Sequence, residues 1–419
     1  MRKMKLTGIV VALTMGAAIS TCAFAQDAKA DIEPCTVNYV YWADNTDYSA
    51  LMQEIIAKFN EENEYGITVV GEELPWDGGG YSNTLFNTAM GGAEIDAATL
   101  KLTSTPIFVN NDLLADLAPF VDEWEDKDVI SENLYNIMKE AGGSEDAMYL
   151  MPWNTQILYV YYRPSVFEAA GIEVPETYED LLAAIEACTM DVDGDGKTDV
   201  YGWGMRGAAG GQEPWGSFIH AYGGGFDDLT TPEAVKGMQD FIDIYQNGYC
   251  PPTALNDGFQ EIIANFKSGL TAMTVHHIGS SKGMVEDLGD DVAAFAFPQG
   301  EGGRWTSMGD TENVMFESSE NKEATFEWLK YLAAYDGQVM WCEGTGNIPV
   351  SSEVQQEAYF QEDPFMLVSF EGVDFAGILP VKDETTEWIS NWPATISMAL
   401  VGDISAEECM QILNDGLNP

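Results

Sequence analysis

The chain reads as an α/β protein of two lobes, each built on a mostly parallel sheet flanked by helices. Three observations lead there. Its 419 residues exceed what one hydrophobic core usually carries. Strand-like and helix-like runs alternate from Cys35 onward, the pattern of a sheet covered by helices. Deep in the chain, residues 156–204 (QILYVYYRPSVFEAAGIEVPETYEDLLAAIEACTMDVDGDGKTDVYGWG) carry a strand, two helices, an Asp-rich loop and another aromatic strand, the same alternation again.

Taken in order, residues 37–42 are a β-rich run, and 50–60 place Leu51, Ile55, Ile56 and Phe59 at helical spacing. Residues 67–70 form a second strand after a stop at Gly66, and 83–90 a helix. Pro152, within Met151-Pro152-Trp153-Asn154, marks an extended connection where the chain first crosses between lobes. The buried-looking strand 157–162 then runs into a short helix, 165–170, which Gly171 stops. Thr177 caps the next helix, with Asp180 three residues on and Leu181, Leu182 and Ile185 along one face. Further helices fall at 232–246, 258–268 and 322–334, and a strand at 272–275. The tail reads as two helices separated by Gly402, the second capped at Ser405.

Composition is globular, at 46% hydrophobic, 11% aromatic and 21% charged residues. Arg2, Lys3 and Lys5, an apolar run near 9–19 and Ala23-Phe24-Ala25 read as a secretory leader cleaved after Ala25. Cys22 is a poor lipid-anchor site, because Thr21 precedes it where Gly or Ala is usual. No other stretch approaches the roughly 18 apolar residues of a membrane span, so a periplasmic or extracellular location is expected. The formal charge of −51 becomes −54 once the three basic leader residues go. Such an anionic surface disfavours nucleic acid. Five cysteines remain after the leader, Cys35, Cys188, Cys250, Cys342 and Cys409; their odd number leaves at least one thiol unpaired.

Several of these segments carry a family likeness. Residues 156–204, Leu113-Leu114-Ala115-Asp116-Leu117-Ala118-Pro119-Phe120, the helix 322–334, Gly346-Asn347-Ile348-Pro349-Val350 and the C-terminal helix pair occur in a characteristic order. The chain resembles the bacterial extracellular solute-binding proteins of family 1, the maltose-binding-like receptors of sugar ABC transporters. The resemblance implies a type II periplasmic binding protein fold with a three-segment hinge. It divides the chain into a leader at 1–25, lobe 1 at 26–152 with 310–350, and lobe 2 at 153–309 with 351–419. It further implies a monomer without enzymatic activity or a required cofactor, with a permease as partner and a neutral sugar or oligosaccharide as cargo. The scarcity of basic residues, 18 Lys and Arg together, fits an uncharged cargo. A secreted glycan-degrading enzyme and a receptor for a non-sugar solute such as a polyamine are the rivals. No HExxH motif favours the enzyme.

A sugar site needs flat aromatic faces for the apolar ring face and planar polar groups for the hydroxyls. Loops at strand C-termini are where open α/β sheets bind ligands. Trp42, Asp44 and Asn45 follow the first strand, and the family likeness gives that loop polar contacts. Trp76 and Tyr81 flank three glycines in a loop without periodicity. The resemblance implies ligand contacts at Thr103 and Ser104, and Leu100 stands where the maltose-binding pattern has a stacking Trp, which argues against maltose itself. Trp153 and Asn154 lie at the first crossing, and Trp305 and Asp310 precede the second. Gln212-Glu213-Pro214-Trp215 resembles a family turn in which Glu213 would accept hydroxyls and Trp215 would stack. His277 ends a strand beside His276, and Trp388, with Trp392 as its rival, approximates an aromatic from the C-terminal helices.

One loop has metal-ligand spacing. Asp191, Asp193, Asp195 and Asp199 occupy positions 1, 3, 5 and 9 of an EF-hand-like loop, with Gly196 at 6 and the Lys197 carbonyl at 7. Position 12 is Gly202 rather than the bidentate Glu, so the loop is a candidate for weak structural Ca²⁺ only.

Overall fold

The structure, a computed structural model, describes residues 32–43, 46–75, 80–144, 146–382 and 384–419. The expected leader with Cys22 lies outside these residues, as do Asp44, Asn45 and Trp76. Residues Glu33–Pro419 form one compact unit. Ten strands are found among the described residues: β1 Thr36–Tyr41, β2 Thr68–Glu73, β3 Ala97–Lys101, β4 Met151–Ile157, β5 Tyr159–Tyr162, β6 Tyr201–Gly204, β7 Thr271–His276, β8 Ala293–Phe295, β9 Thr306–Met315 and β10 Ala376–Gly377.

They make two sheets. The first runs β10-β9-β3-β1-β2, with β4 paired to β9. Its β1, β2 and β3 are parallel, joined by helices Thr46–Glu62 and Gly80–Met90 in the βαβ manner. The second sheet runs β6-β7-β5-β8. Here the expected mostly parallel pairing gives way to a mixed one: β6 and β7 are parallel, but β5 is antiparallel to both β7 and β8. The reason is connectivity. Strand β5 follows β4 after Leu158 alone, so its direction is inherited from a crossing strand rather than set by a helical crossover.

The apparent single strand 157–162 is thus two strands that belong to different sheets. Strand β4 leaves the first sheet and β9 returns to it, which makes the two antiparallel, with Thr155 opposite Asp310 and a bulge between Met151 and Asn154. Thr155 also bridges Ile348, so three chain segments lie side by side at this crossing. Buried polar groups fasten them. Gln338 donates to the Trp153 carbonyl at 3.0 Å and accepts from the Val350 amide at 2.8 Å. Glu312 accepts from the amides of Trp153 at 2.5 Å and Asn154 at 3.3 Å.

Each sheet carries its own aromatic core. Tyr39 of β1 meets Trp328 at 5.3 Å between ring centres, and Phe59 meets the same indole at 5.1 Å. In the second, Trp203, Phe218, Trp392 and Leu413 share one cluster, which ties helices Thr385–Leu400 and Ala406–Leu417 to β5, β6 and β7. Local sequence signals translate directly. Thr177 and Asp180 form a capping box on helix Tyr178–Ala187, and Ser405 with Glu408 does the same for the last helix. Gly171 ends helix Pro164–Ala170 at φ 69°, a left-handed conformation that costs other residues energy.

Cys35, Cys188, Cys250, Cys342 and Cys409 are all free thiols, and all but Cys35 are buried. Burial pushes the thiols of Cys188, Cys250 and Cys409 up to about 12, which keeps them protonated and unreactive at neutral pH. Dithiothreitol is therefore expected to leave the melting temperature unchanged. A thiol-titrating disulfide reagent should label Cys35 in the native protein and the other four only after unfolding. A drop in melting temperature on reduction would contradict this arrangement.

Candidate functional site

Two cavities open on either side of the first residues of β9, of about 220 Å³ and 250 Å³, and share Glu213, Ser307 and Gly309. The first takes Lys101 and Thr103 from the end of β3 and Leu379 and Lys382 from the segment after β10. The second takes Gln156 from β4, Arg206 from the loop after β6, and His276 and His277 from the end of β7. The cleft therefore lies where the C-terminal ends of β3 and β7 come together, the edge at which α/β sheets bind ligands.

Of the expected residues, Glu213, Thr103 and His277 line these cavities. Glu213 sits in the first turn of helix Gln212–Ala221, where the positive end of the helix favours a carboxylate, and lines both cavities. Thr103 lines the first cavity, and Ser104 beside it donates to Ser82 Oγ at 3.0 Å. His277 lines the second, its Nδ1 accepting the Gly279 amide at 3.1 Å. Trp42 packs on Tyr81 at 5.0 Å, with Lys101 Nζ 5.7 Å from the indole. Asp310 is paired through its backbone with Thr155.

Other expected ligand residues turn out to be scaffold. Tyr81 is fully buried, and its hydroxyl is spent on the Thr99 carbonyl and hydroxyl at 2.9 and 3.0 Å, so it is no cleft rim. Trp215 points into the core, its Nε1 3.3 Å from Met238 Sδ and its ring against Trp392 and Phe226. A tryptophan three residues into a helix points to whichever face the helix buries, and here that face is the core. Trp388 donates to the Leu413 carbonyl at 3.0 Å inside the same core, and its rival Trp392 is fully buried too. Trp305 stacks on His220 at 4.9 Å, with Gly216 and Gly377 against its ring. Trp153 packs on Trp341 at 4.6 Å, and Asn154 accepts from the Trp341 indole at 3.3 Å, so this pair shapes the crossing rather than the cleft.

Arg206, Gln156 and Phe259 line the second cavity and escaped the sequence reading, while His276 and Ser307, which lie in segments it quoted, line it as well. One signal was available for Arg206, which is one of 18 basic residues and precedes the Gly210-Gly211 turn into the Glu213 helix. His276 Nδ1 lies 2.7 Å from Ser280 Oγ, yet its Nε2 is buried without a partner. Among the described residues no carboxylate orients that imidazole, so there the pair lacks the third member that a hydrolytic triad needs. Burial, with His277 and Arg206 adding to it, holds the His276 pKa well below the usual histidine range, so the ring is neutral at pH 7.

In the Asp191 loop, carboxylate oxygens of Asp191, Asp193 and Asp195 lie within 4.8 Å of one another. Asp199 is turned elsewhere, accepting from the amides of Val192 at 2.8 Å and Asp193 at 3.2 Å. Lys197 Nζ reaches Asp195 at 2.8 Å.

Two sheets joined by three crossing segments, with polar groups converging on a cleft from both sides, make a place where a solute can be held. The sequence profile of the family described as bacterial extracellular solute-binding protein matches residues 54–367. The chain belongs to that family, which is one of binding proteins and not of enzymes. It is 24% identical over 393 residues to a binding protein of Brucella abortus, covering 90% of each. It is 26% identical over 265 residues to the mannitol-binding protein of Pseudomonas aeruginosa, covering 59% of this chain and 60% of that one. Among solved structures, the sugar-binding protein MalE of Xanthomonas citri matches at a TM-score of 0.78 and 17% identity, covering 91% of this chain and 96% of that one. A cyclo/maltodextrin-binding protein complexed with maltotetraose matches at 0.76 and 16%, covering 93% and 98%. These neighbours are two-lobed periplasmic sugar-binding proteins, and the chain shares their fold. No helix among the described residues is long and apolar enough to cross a membrane.

Two substitutions separate scaffold from site. Trp215→Ala should lower stability by about 3–5 kcal/mol in denaturant unfolding. Glu213→Gln should leave stability nearly unchanged and weaken solute binding roughly tenfold or more, the loss expected for a charge-assisted hydrogen bond. Equal losses of stability in both variants would place Glu213 in the scaffold.

Proposed function

We propose that this protein captures a sugar or oligosaccharide in the cleft and hands it to the membrane permease of an ABC importer. The observation that carries the reading is the convergence on one cleft of Thr103 from the β3 end and Glu213, His277 and Arg206 from the second-sheet side. A solute touching both groups bridges the two sheets. Its contacts favour a closed arrangement over an open one by the difference in affinity between them. The mannitol-binding relative and the sugar-binding structural neighbours support a carbohydrate.

The lobes of this reading are residues 26–152 with 310–350, and 153–309 with 351–419, after a leader ending at Ala25. The protein acts as an exported monomer, in the periplasm or outside the cell, and needs no cofactor for capture. The Asp191 loop is a weak structural Ca²⁺ site at most, since its three converging carboxylates lack the bidentate acid at position 12.

A thermal-shift screen of sugars and polyols, followed by small-angle scattering, tests the main reading. A carbohydrate should raise the melting temperature and reduce the radius of gyration, with no release of reducing sugar. Turnover, or binding without compaction, would refute it. For the loop, calorimetry on EDTA-treated protein should register Ca²⁺ binding only at about millimolar concentration, the weak end of such sites. Absence of both heat and melting shift there would remove calcium from the description.

A further inference from the structure

Basic residues are rare in this chain, 18 against 69 acids, yet the cleft reverses the ratio. Among the described residues lining the two cavities, Lys101, Lys382 and Arg206 are basic, and Glu213 alone is acidic. Both lysines line the first cavity, while in the second Arg206 stands with Glu213, so the basic character rests on one placed guanidinium and the first cavity's two ammonium groups.

Arg206 is the most constrained of the three. Its Nη2 donates to the Ala209 carbonyl at 2.6 Å, and its Nε is buried without an acceptor. Its guanidinium carbon lies 5.7 Å from the centre of the Phe259 ring. The Gly210 backbone, at φ +91°, also lies against the guanidinium, and a Cβ there would fall 1.8 Å from Nη2. Only glycine permits both that backbone and that approach. A guanidinium held against an aromatic ring and a glycine turn has lost its freedom before any ligand arrives, so little ordering cost remains at binding.

The histidines stand beside it. His276 is 2% exposed, meets Phe259 at 4.1 Å and His277 at 4.5 Å, and leaves Nε2 buried and unpartnered. When the Ser280 hydroxyl donates to Nδ1 at 2.7 Å, the ring proton sits on Nε2 as a second donor. Burying such donors without acceptors costs stability, so both side chains keep unspent donor capacity beside the cavity they line. Glu213, in the same cavity, suits hydroxyl donors of the ligand and not a further anion.

Building on the carbohydrate reading, we propose that the solute is an acidic saccharide whose carboxylate seats against Arg206 and the His276–His277 pair, with Glu213 taking hydroxyls of the same molecule. The planar fork of a guanidinium matches a carboxylate in a way that a lysine does not. The cavity, at about 250 Å³, has the volume for a single acidic sugar ring with the neighbouring cavity open to a second.

Calorimetry on the full mature protein decides it, using sugars that differ only at C6: galacturonate against galactose and glucuronate against glucose, with glucose 6-phosphate as a third arm. The acid of at least one pair should bind roughly 10- to 100-fold more tightly than its neutral partner, the span expected for one or two charge-assisted hydrogen bonds. Arg206→Gln should erase that preference while Arg206→Lys keeps part of it, with melting temperatures recorded to confirm that both variants fold. Should Arg206→Gln not fold, Phe259→Leu, which removes the ring beneath the guanidinium, should narrow the acid preference. Neutral sugars binding as tightly as acids, a preference that survives Arg206→Gln, or tighter binding of the phosphate would each overturn the carboxylate assignment and leave the carbohydrate reading standing. Failure of every saccharide, acidic or neutral, to bind would remove both.

Discussion

The buried amide of Gln338 is the joint on which the architecture turns. One side chain reaches the carbonyl of Trp153 on the first crossing segment and the amide of Val350 on the third. Glu312, on the second crossing segment, holds the first through the amides of Trp153 and Asn154. Both are fully buried, where hydrogen bonds are strong and unmade ones are costly. A hinge must bend without coming apart. Directional bonds fasten the three segments at one level, which favours rotation about that level over separation.

The cleft depends on this joint, because its walls come from opposite sides of it. Lys101 and Thr103 end a strand of the first sheet, while Arg206 and His277 follow strands of the second. Ser307 and Gly309 of β9 form the floor between them. The two walls bring different chemistry, and neither alone surrounds a ligand. In the proposed reading selectivity and closure are one event, since a guest that satisfies both walls is also what draws them together.

The charge pattern divides the protein in the same way. An acidic exterior keeps an exported protein soluble and apart from its neighbours, and it is set by composition. The cleft is a small exception whose character comes from a few placed groups. Arg206 illustrates how placement is achieved: a glycine turn and an aromatic ring confine a side chain that would otherwise sweep a wide volume.

Much of the fold was legible in the sequence because helix signals are local. The caps at Thr177 and Ser405, the stop at Gly171 and the helix Pro232–Gln246 depend on neighbours within a turn or two, and the chain alone carries them. The division of 157–162 into two strands was not legible, because both halves are apolar and β-prone and only pairing partners tell them apart. The same limit governed the site. Glu213, Thr103 and His277 could be picked out from loops at strand ends, and the structure brings them to one cleft. Trp215, Trp305, Trp388 and Tyr81 looked like sugar platforms, yet their rings are enclosed by other rings. An indole is equally suited to stacking on a sugar and to filling a core, so residue type cannot decide between them. By itself the sequence determined composition, element types and the order that marks the family, all local or cumulative properties. Which aromatic faces stay open, and which few cations meet in the cleft, only the tertiary structure decided, because both depend on contacts between residues far apart in the chain.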